Sequence, residues 1–305
     1  MKKFDIIGRR KIWYALSLLI IIPGIICMFT RGFNLSIDFT GGTLMELKFE
    51  RPVGIAEVRD VLKEYQLDNS MIQLSGEESS ATTAQDVMIR TVDLEENDRK
   101  EIMAAMKSSL GNYSVLREEK VGATMGAELM WKALWATLLS WGMIVLYISY
   151  RFEFKFGIAA VLALVHDVLF VLSVFSLLQK QVDVTFVAAL MTIVGYSVSD
   201  TIVIFDRVRE NLKLHFRRGG DVELLVNTSI YQTLTRCLYT VGTVLFTTFA
   251  LYFFGGDTTK DFSFALLVGF AVGAYSSIFI ASPLWVDFRE WGGKKSSDGK
   301  PATAK

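Results

Sequence analysis

Four long stretches without a charged residue constrain the fold of this chain more than any other feature. They cover residues 12–30, 133–150, 237–256 and 262–286, which is 19, 18, 20 and 25 residues. A helix of about 20 apolar residues crosses the roughly 30 Å of hydrocarbon in a bilayer. Hydrophobic residues make up 51% of the 305 residues, and charged residues only 21%. The composition therefore excludes a freely soluble protein and a disordered one.

Two further predicted spans contain ionisable side chains: 156–178 with His166 and Asp167, and 184–205 with Asp200. A third charged span, 231–254 with Arg236, extends the uncharged stretch at 237–256. The sequence thus predicts a polytopic α-helical membrane protein with six transmembrane helices. Lys and Arg balance Asp and Glu at 32 each, so the net charge gives no sign of a nucleic-acid partner.

The distribution of basic residues predicts the orientation. Seventeen lie in segments on one side of the predicted membrane, whereas the opposite short loops hold only Lys180 and Lys260. Because basic loops stay inside, we expect both termini to be cytoplasmic. The first apolar stretch is too long for a cleaved signal peptide and no small-x-small site follows it. The predicted order is a cytoplasmic N-terminus (1–11), a first transmembrane helix (12–30), an extracytoplasmic domain (31–128), a five-helix transmembrane bundle (129–288) and a cytoplasmic tail (289–305).

The extracytoplasmic block 31–128 has the pattern of one small α+β domain. Strands are predicted at 43–49, 71–74, 86–91 and 114–120, helices at 55–65 and 97–110, and a polar hairpin loop at 75–85. Pro52 and Gly54 are expected to end the first strand. The order βαββαβ is the ferredoxin-like arrangement. Since the block has no nucleotide loop, metal cluster or nucleophile motif, we expect a binding or lever module.

The charged residues inside the spans are the candidate functional groups, because an ionised side chain at mid-bilayer costs at least ~2.5–3.5 kcal/mol. Asp200 and Arg236 are each five residues from the cytoplasmic end of their span, so they lie at similar depth and could pair. Hydroxyl groups surround both: Tyr196, Ser197 and Ser199 near Asp200, and Thr240, Thr243 and Thr247 on the helix face of Arg236. This polar seam predicts a proton carrier. The alternative is a static ion pair that holds helices together.

Two weaker candidates lie in other spans. His166 and Asp167 are adjacent, and neighbouring side chains on a helix point about 100° apart, so we do not expect a ready-made pair. They are secondary candidates for proton coupling, with a packed, hydrogen-bonded histidine as the alternative. In the last span Ala265, Gly269, Gly273 and Ser277 form a stripe of small residues. This stripe predicts close helix packing within the chain, or else docking of a partner subunit.

Enzymatic activity is not expected. Two intramembrane aspartates raise the possibility of an intramembrane aspartyl protease, whose carboxylates share a proton. Such enzymes resemble one another in a Gly-x-Gly-Asp sequence, whereas Asp200 follows Ser-Val-Ser. An arginine at the same depth would also keep Asp200 ionised. No serine, cysteine or metal constellation is present in the sequence, so no cofactor is predicted beyond the transported protons, with sodium as the alternative ion.

Several motifs resemble the SecD/SecF family of protein-export membrane proteins. Asp38, Phe39, Thr40, Gly41 and Gly42 are similar to its Asp-Phe-Thr-Gly-Gly signature, and VGYSVSDTIVIFDRVREN at 194–211 resembles the fourth-span signature of the SecF members. QTLTR at 232–236, ALVHD at 163–167 and FGG at 254–256 also match. The likeness covers roughly residues 10–290. The sequence departs from the family pattern at 121–123, where Ala123 replaces the usual proline.

The resemblance implies an accessory subunit of the Sec protein-export machinery in the bacterial inner membrane, with a fold related to the resistance-nodulation-division transporters. Such subunits pair with SecD, which supplies six further spans, and act with the Sec translocon channel on a translocating unfolded polypeptide. The family assigns proton coupling to the positions of Asp200 and Arg236, and Gly41 and Gly42 would form a tight turn. The alternatives are a scaffold subunit without proton conduction and a stand-alone exporter of small molecules, which would need a duplicated half.

Overall fold

The computed structural model describes residues 5–75, 83–151, 153–215 and 221–297. Its elements, in chain order, are α1 (Arg10–Thr30), β1 (Asn34–Leu35), α2 (Ile37–Thr40), β2 (Gly42–Gly54), α3 (Ile55–Lys63), β3 (Met71–Ser75), β4 (Thr83–Thr91), α4 (Glu96–Leu110), β5 (Tyr113–Val121), α5 (Ala123–Arg151), α6 (Phe154–Leu178), β6 (Gln181–Val182), α7 (Val184–His215), α8 (Val222–Phe254), α9 (Asp257–Ser276), a π-helical turn (Ser277–Ala281) and α10 (Ser282–Ser297). The chain divides into two compact units, residues 35–135 and the remainder, with the boundary inside α5.

Six helices in the described part of the chain are long and apolar enough to cross a membrane: α1, α5, α6, α7, α8 and the run from α9 into α10. This confirms the six predicted spans. The helices extend beyond the apolar residues that predicted them. The reason is that hydropathy shows which residues lie in the hydrocarbon, whereas a helix can continue into the polar region on either side. For example, α8 begins at Val222, nine residues before the predicted start at Tyr231. Asp221 caps this observed start, because its carboxylate accepts the Leu224 N–H at 3.1 Å.

Small residues set the packing of the membrane helices. A Cβ atom added at Gly269 would lie 2.2 Å from Ile193 Cδ1, and one at Gly273 would lie 3.1 Å from Ser197 Cβ. Thus the small-residue stripe of α9 packs against α7 of the same chain. Gly24 of α1 meets α6 in the same way, since its Cβ would lie 2.1 Å from Ser173 Cβ. Large residues at these positions would push the helices apart.

The other unit contains a four-stranded antiparallel sheet in the order β3-β4-β2-β5. With α3 and α4 this is the predicted ferredoxin-like βαββαβ arrangement. Apolar side chains of the two central strands and the two helices form its core, including Leu47, Phe49, Leu62, Val87, Ile89 and Ile102. The predicted hairpin loop lies partly outside the described residues, at 76–82.

The end of β2 differs from the prediction, because the strand continues through Pro52 to Gly54. Its pairing with β5 stops at Phe49, so the missing N–H of Pro52 removes no hydrogen bond to β5. The pairing with β4 resumes at Val53 after an irregularity. Glu57 then fixes the start of α3 by accepting the Gly54 N–H, and hydrogen bonds from Arg51 and this N–H lower the pKa of the Glu57 carboxyl.

Candidate functional site

The most completely bonded carboxylate in the membrane unit is that of Asp167 on α6. Its side chain is fully buried. Ser197 Oγ of α7 donates to Asp167 Oδ2 at 2.5 Å, and Ser276 Oγ of α9 donates to the same oxygen at 2.8 Å. His166 Nδ1 lies 3.0 Å from Asp167 Oδ1. Asp167 therefore fastens three helices at one buried point.

The prediction that His166 and Asp167 do not pair was wrong. The angle of 100° separates the Cβ directions, but both side chains bend along the helix surface so that their polar atoms meet. Outside partners hold them there: His166 Nε2 lies 2.8 Å from Ser17 Oγ on α1, while Asp167 is held by α7 and α9. His166 is accordingly a packed, hydrogen-bonded histidine that adds α1 to the cluster.

Sequence reasoning missed the other members of this polar cluster, Ser17, Tyr275 and Ser276. Tyr275 Oη donates to the Trp13 carbonyl at 2.8 Å and lies beside Ser17. A π-helical turn starts directly after Ser276, and its first residue, Ser277, shares a 2.8 Å hydrogen bond with Thr201. π-helical turns inside α-helices occur frequently at functional sites. The sequence feature that could have predicted these members is the presence of polar residues in α1 and α9 at the depth of Asp167.

Asp200 has a different environment from Asp167. It is 6% exposed, and its Oδ2 atom has no hydrogen-bond partner among the described residues. One turn earlier on α7, the buried hydroxyl of Tyr196 also has no hydrogen-bond partner there. Buried polar atoms in proteins are nearly always satisfied, so an unsatisfied carboxylate oxygen at membrane depth needs a functional or structural explanation.

The predicted ion pair between Asp200 and Arg236 is not formed among the described residues. The Arg236 guanidinium acts on the Asp200 carboxylate through space, but Arg236 lies on an exposed face of α8. Equal depth along two helices does not fix the rotation of either helix about its axis. No salt bridge therefore joins the two charges in the described parts of the chain.

The polar seam on α8 lies on the surface of this chain rather than in its interior, contrary to the prediction. Thr240, Thr243 and Thr247 are exposed, and each hydroxyl donates to a carbonyl of its own helix at 2.7–3.0 Å. The neighbouring α7 exposes small and hydroxyl residues at helical spacing, Ala188, Thr192, Gly195 and Ser199. These exposed residues of α7 and α8, together with Arg236, are hereafter called the open polar face. The charge of Arg236 makes contact of this face with lipid tails costly.

The signature at residues 38–42 forms a tight turn in the α+β unit. Ser36 Oγ accepts the Asp38 N–H, Phe39 is buried, and Thr40 Oγ1 bonds back to the Ser36 carbonyl. Gly41 and Gly42 have φ of +70° and +126°, which side chains rarely adopt. A Cβ at Gly42 would also lie 2.3 Å from the Thr91 carbonyl oxygen. Glycine is therefore required at 42 by conformation and by space.

We expect Gly42→Ala to lower the thermal midpoint of the protein strongly, because backbone strain costs about 1–3 kcal/mol and the contact with Thr91 adds to it. Two controls separate the causes. Gly32 has φ of +70° with open space around it, and Gly122 has neither a positive φ nor a close neighbour. In thermal unfolding, Gly42→Ala should have the lowest midpoint and Gly32→Ala a higher one. Gly122→Ala should have a midpoint near that of the wild type. Equal midpoints for all three variants would contradict this account of the turn.

No group of three or more His, Cys, Asp or Glu side chains with the spacing of a metal site occurs in the parts of the chain that the structure describes. The candidate groups within the predicted spans are the carboxylates of Asp167 and Asp200, the guanidinium of Arg236, the imidazole of His166 and the hydroxyls around them. Such groups bind, hold and release protons.

Comparison with known proteins identifies related chains. The family profile "Protein export membrane protein SecD/SecF, C-terminal" matches residues 101–291, and the profile "SecD/SecF GG Motif" matches residues 28–53, which include the glycine turn. The chain is 47% identical to the protein translocase subunit SecF of Acidaminococcus fermentans over 95% of this chain and 99% of that protein. It is 42% identical to the corresponding subunit of Thermobaculum terrenum over 93% of each chain.

A solved structure gives the same result for the fold. The chain is similar to the crystal structure of SecDF, a translocon-associated membrane protein from Thermus thermophilus, with a TM-score of 0.85 and 37% identity. The match covers 94% of this chain and 39% of that one, so the chain spans about two fifths of the solved protein.

Proposed function

This chain belongs to the SecF branch of the SecD/SecF family of protein-export membrane proteins, and from that premise we propose that it works with a SecD partner and the Sec translocon channel. In this proposal the pair uses the proton motive force to drive late steps of polypeptide translocation across the bacterial inner membrane. Both termini are cytoplasmic and the α+β unit is extracytoplasmic, because the basic residues lie on the side of the termini.

The observation that carries the proposal is the unsatisfied carboxylate oxygen of Asp200. The two intramembrane aspartates differ in bonding, since Asp167 is held by His166 and two serines whereas Asp200 Oδ2 has no hydrogen-bond partner in the described parts of the chain. A fully bonded carboxylate gains little from binding a proton. A buried carboxylate with an open oxygen has a site for a proton. Asp200 is therefore the proton carrier.

The alternative is a scaffold subunit in which Asp200 and Arg236 form a fixed strut. A strut requires a direct ion pair, and none joins these two residues in the described structure. The scaffold role instead suits Asp167, whose hydrogen bonds connect α6 to α7 and α9. Both roles are then present in one chain: Asp167 holds the helices in register, and Asp200 exchanges protons beside them.

The energy of one proton is sufficient for a conformational step. One charge that crosses 100 mV releases ~2.3 kcal/mol. Protonation of Asp200 removes its attraction to Arg236 and thereby changes the preferred relation of α7 and α8. The step drives export only if the two resulting states differ in their affinity for the translocating polypeptide. The extracytoplasmic α+β unit is the part of the chain placed to contact that polypeptide.

The open polar face is the surface that a SecD partner covers in this proposal. Arg236 and the three threonines are exposed on α8, and small residues are exposed on the neighbouring α7. Small residues allow a partner helix to approach closely, and partner contacts would keep Arg236 away from lipid tails. The solved SecDF chain, of which this chain spans about two fifths, has room for such a partner in the same polypeptide.

We expect Thr243→Trp to reduce co-purification of SecD by about tenfold or more, because a large side chain blocks close helix approach. The matched control is Leu238→Trp, since Leu238 is 57% exposed on another side of α8 where lipid tails are expected. Co-purification is measured after extraction of the co-expressed pair in mild detergent. An equal yield of SecD with both tryptophan variants would contradict the assignment of this face.

The direct test of the function uses inverted membrane vesicles that hold a precursor stalled midway. ATP is removed, a proton gradient is imposed, and completion of export is compared between the native protein and Asp200→Asn. A sodium gradient applied separately distinguishes the coupling ion.

A further inference from the structure

A pocket of about 400 Å³ opens at the end of the membrane unit that carries the 151–155 loop. Four cationic side chains line it, from the first turn of α6, the last part of α7 and α10: Lys155, Arg209, Lys213 and Arg289. The lining contains one carboxylate, that of Glu153. Neither Asp200 nor Arg236 lines the pocket, and the proposed function does not use it.

The convergence of these cations calls for an anion. Basic residues near helix ends keep a loop on the cytoplasmic side. That role does not require the basic residues to line one cavity, so it does not explain this arrangement. Arg209 already pairs with Asp206 at 2.8 Å. Like charges that share a cavity still repel one another, and a bound anion lowers that repulsion. Lys155 and Lys213 are exposed and form no ion pair with any residue in the described ranges. Their ammonium groups are thus available to a ligand.

The wall of the pocket shows at what depth the ligand lies. Phe156 and Trp285 are stacked with ring centroids 4.5 Å apart, and both are almost completely buried. The Arg289 guanidinium lies 5.3 Å from the Trp285 ring. On α7 and α10 the charged residues begin shortly after the apolar segments end, at Asp206 and Asp287. The pocket accordingly lies where hydrocarbon gives way to lipid headgroups.

Exposed aromatic residues beside the pocket agree with that depth. Tyr150 is 94% exposed. Phe154, which lies between the lining residues Glu153 and Lys155 in the sequence, is 78% exposed. Aromatic side chains are enriched at the level of the lipid headgroups. A ligand in the pocket can therefore place its phosphate among the cations and its acyl chains against these exposed apolar side chains.

We propose that this pocket binds the phosphate of an anionic phospholipid, of which phosphatidylglycerol is the simplest example. Arginine offers paired N–H donors to phosphate oxygens, and lysine adds a point charge. Basic pockets between transmembrane helices on the cytoplasmic side are a known form of anionic-lipid site. An acidic protein segment would satisfy the charge but would not use the exposed apolar surface beside it.

The experiment measures lipid binding to the full chain in detergent micelles by native mass spectrometry. Phosphatidylglycerol, phosphatidylcholine and inorganic phosphate are titrated separately. The wild type should bind one phosphatidylglycerol at least tenfold more tightly than phosphatidylcholine. Affinity should fall about fivefold in Lys213→Gln and about thirtyfold in the double variant Lys155→Gln with Lys213→Gln, because each basic residue near an anionic lipid contributes about 1 kcal/mol. Lys11→Gln, an exposed lysine of the same predicted side, is the matched control and should bind like the wild type.

Three outcomes would overturn the proposal. The first is equal phosphatidylglycerol affinity in wild type and the double variant. The second is an equal loss in Lys11→Gln, which would show a general charge effect. The third is inorganic phosphate binding as tightly as the lipid, which would identify a site for free phosphate. Thermal unfolding without lipid verifies that the variants are folded, and since all substituted lysines are exposed we expect midpoints near wild type.

Discussion

Asp200→Asn is expected to reduce gradient-driven completion of a stalled precursor to the level seen without a gradient. Asparagine keeps the shape of the side chain but cannot bind and release a proton in the membrane. One proton that crosses 100 mV supplies ~2.3 kcal/mol, so the loss for a single coupled proton is up to about fiftyfold. Translocation is measured in ATP-depleted vesicles as the fraction of precursor that becomes protected from protease.

The control for this variant is Asp60→Asn, which neutralises an exposed carboxylate of α3 in the α+β unit. It should translocate like the native protein. Asp200→Asn should also assemble with SecD normally and keep its thermal midpoint, because the Oδ2 atom of Asp200 makes no hydrogen bond within the described residues. If Asp200→Asn completes export at the native rate under the gradient, the carrier role of Asp200 fails. The scaffold function then remains.

Asp167→Ala is expected to destabilise the protein by about 3 kcal/mol. It removes the acceptor of Ser197 and Ser276 and the partner of His166, and side-chain hydrogen bonds between membrane helices contribute about 0.6–1.7 kcal/mol each. Asp167→Asn keeps one acceptor oxygen and the side-chain shape, so it should lose only about 1 kcal/mol. Reversible unfolding in mixed micelles with increasing denaturing detergent measures both values.

Substitution of single serines measures how much each hydrogen bond to Asp167 contributes to that loss of stability. Ser197→Ala and Ser276→Ala should each cost about 1 kcal/mol, whereas Ser199→Ala, on the exposed face of the same helix as Ser197, should cost less than about 0.5 kcal/mol. Transport separates the two aspartates further: Asp167→Asn should retain gradient-driven export in proportion to the folded protein present. A stable but inactive Asp167→Asn would move the proton-carrier role to the polar cluster around Asp167.

The sequence could not predict that Asp167 and Asp200 differ in hydrogen bonding. Counting residues from the helix ends placed Asp200 and Arg236 at equal depth, and the structure keeps them within Coulombic range. Counting does not give the rotation of a helix, so it could not show that Arg236 faces outward. In the same way, the angle between adjacent residues wrongly separated His166 from Asp167, because the partner on α1 that orients the imidazole is 149 residues distant in sequence.

The sequence by itself determined the number of membrane spans and the ferredoxin-like order of the α+β unit. These follow from local physics: backbone in hydrocarbon must form helices, and alternation and helical periodicity mark strands and helices. Tertiary structure alone decided which face of each helix is buried, because the contacts of Gly269 with Ile193 and of Gly24 with Ser173 join distant segments. Contacts between distant segments also bring Asp167 to its partners on α7 and α9, and they bring four cations from three helices to one pocket. Asp200 Oδ2, by contrast, has no hydrogen-bond partner within the described ranges.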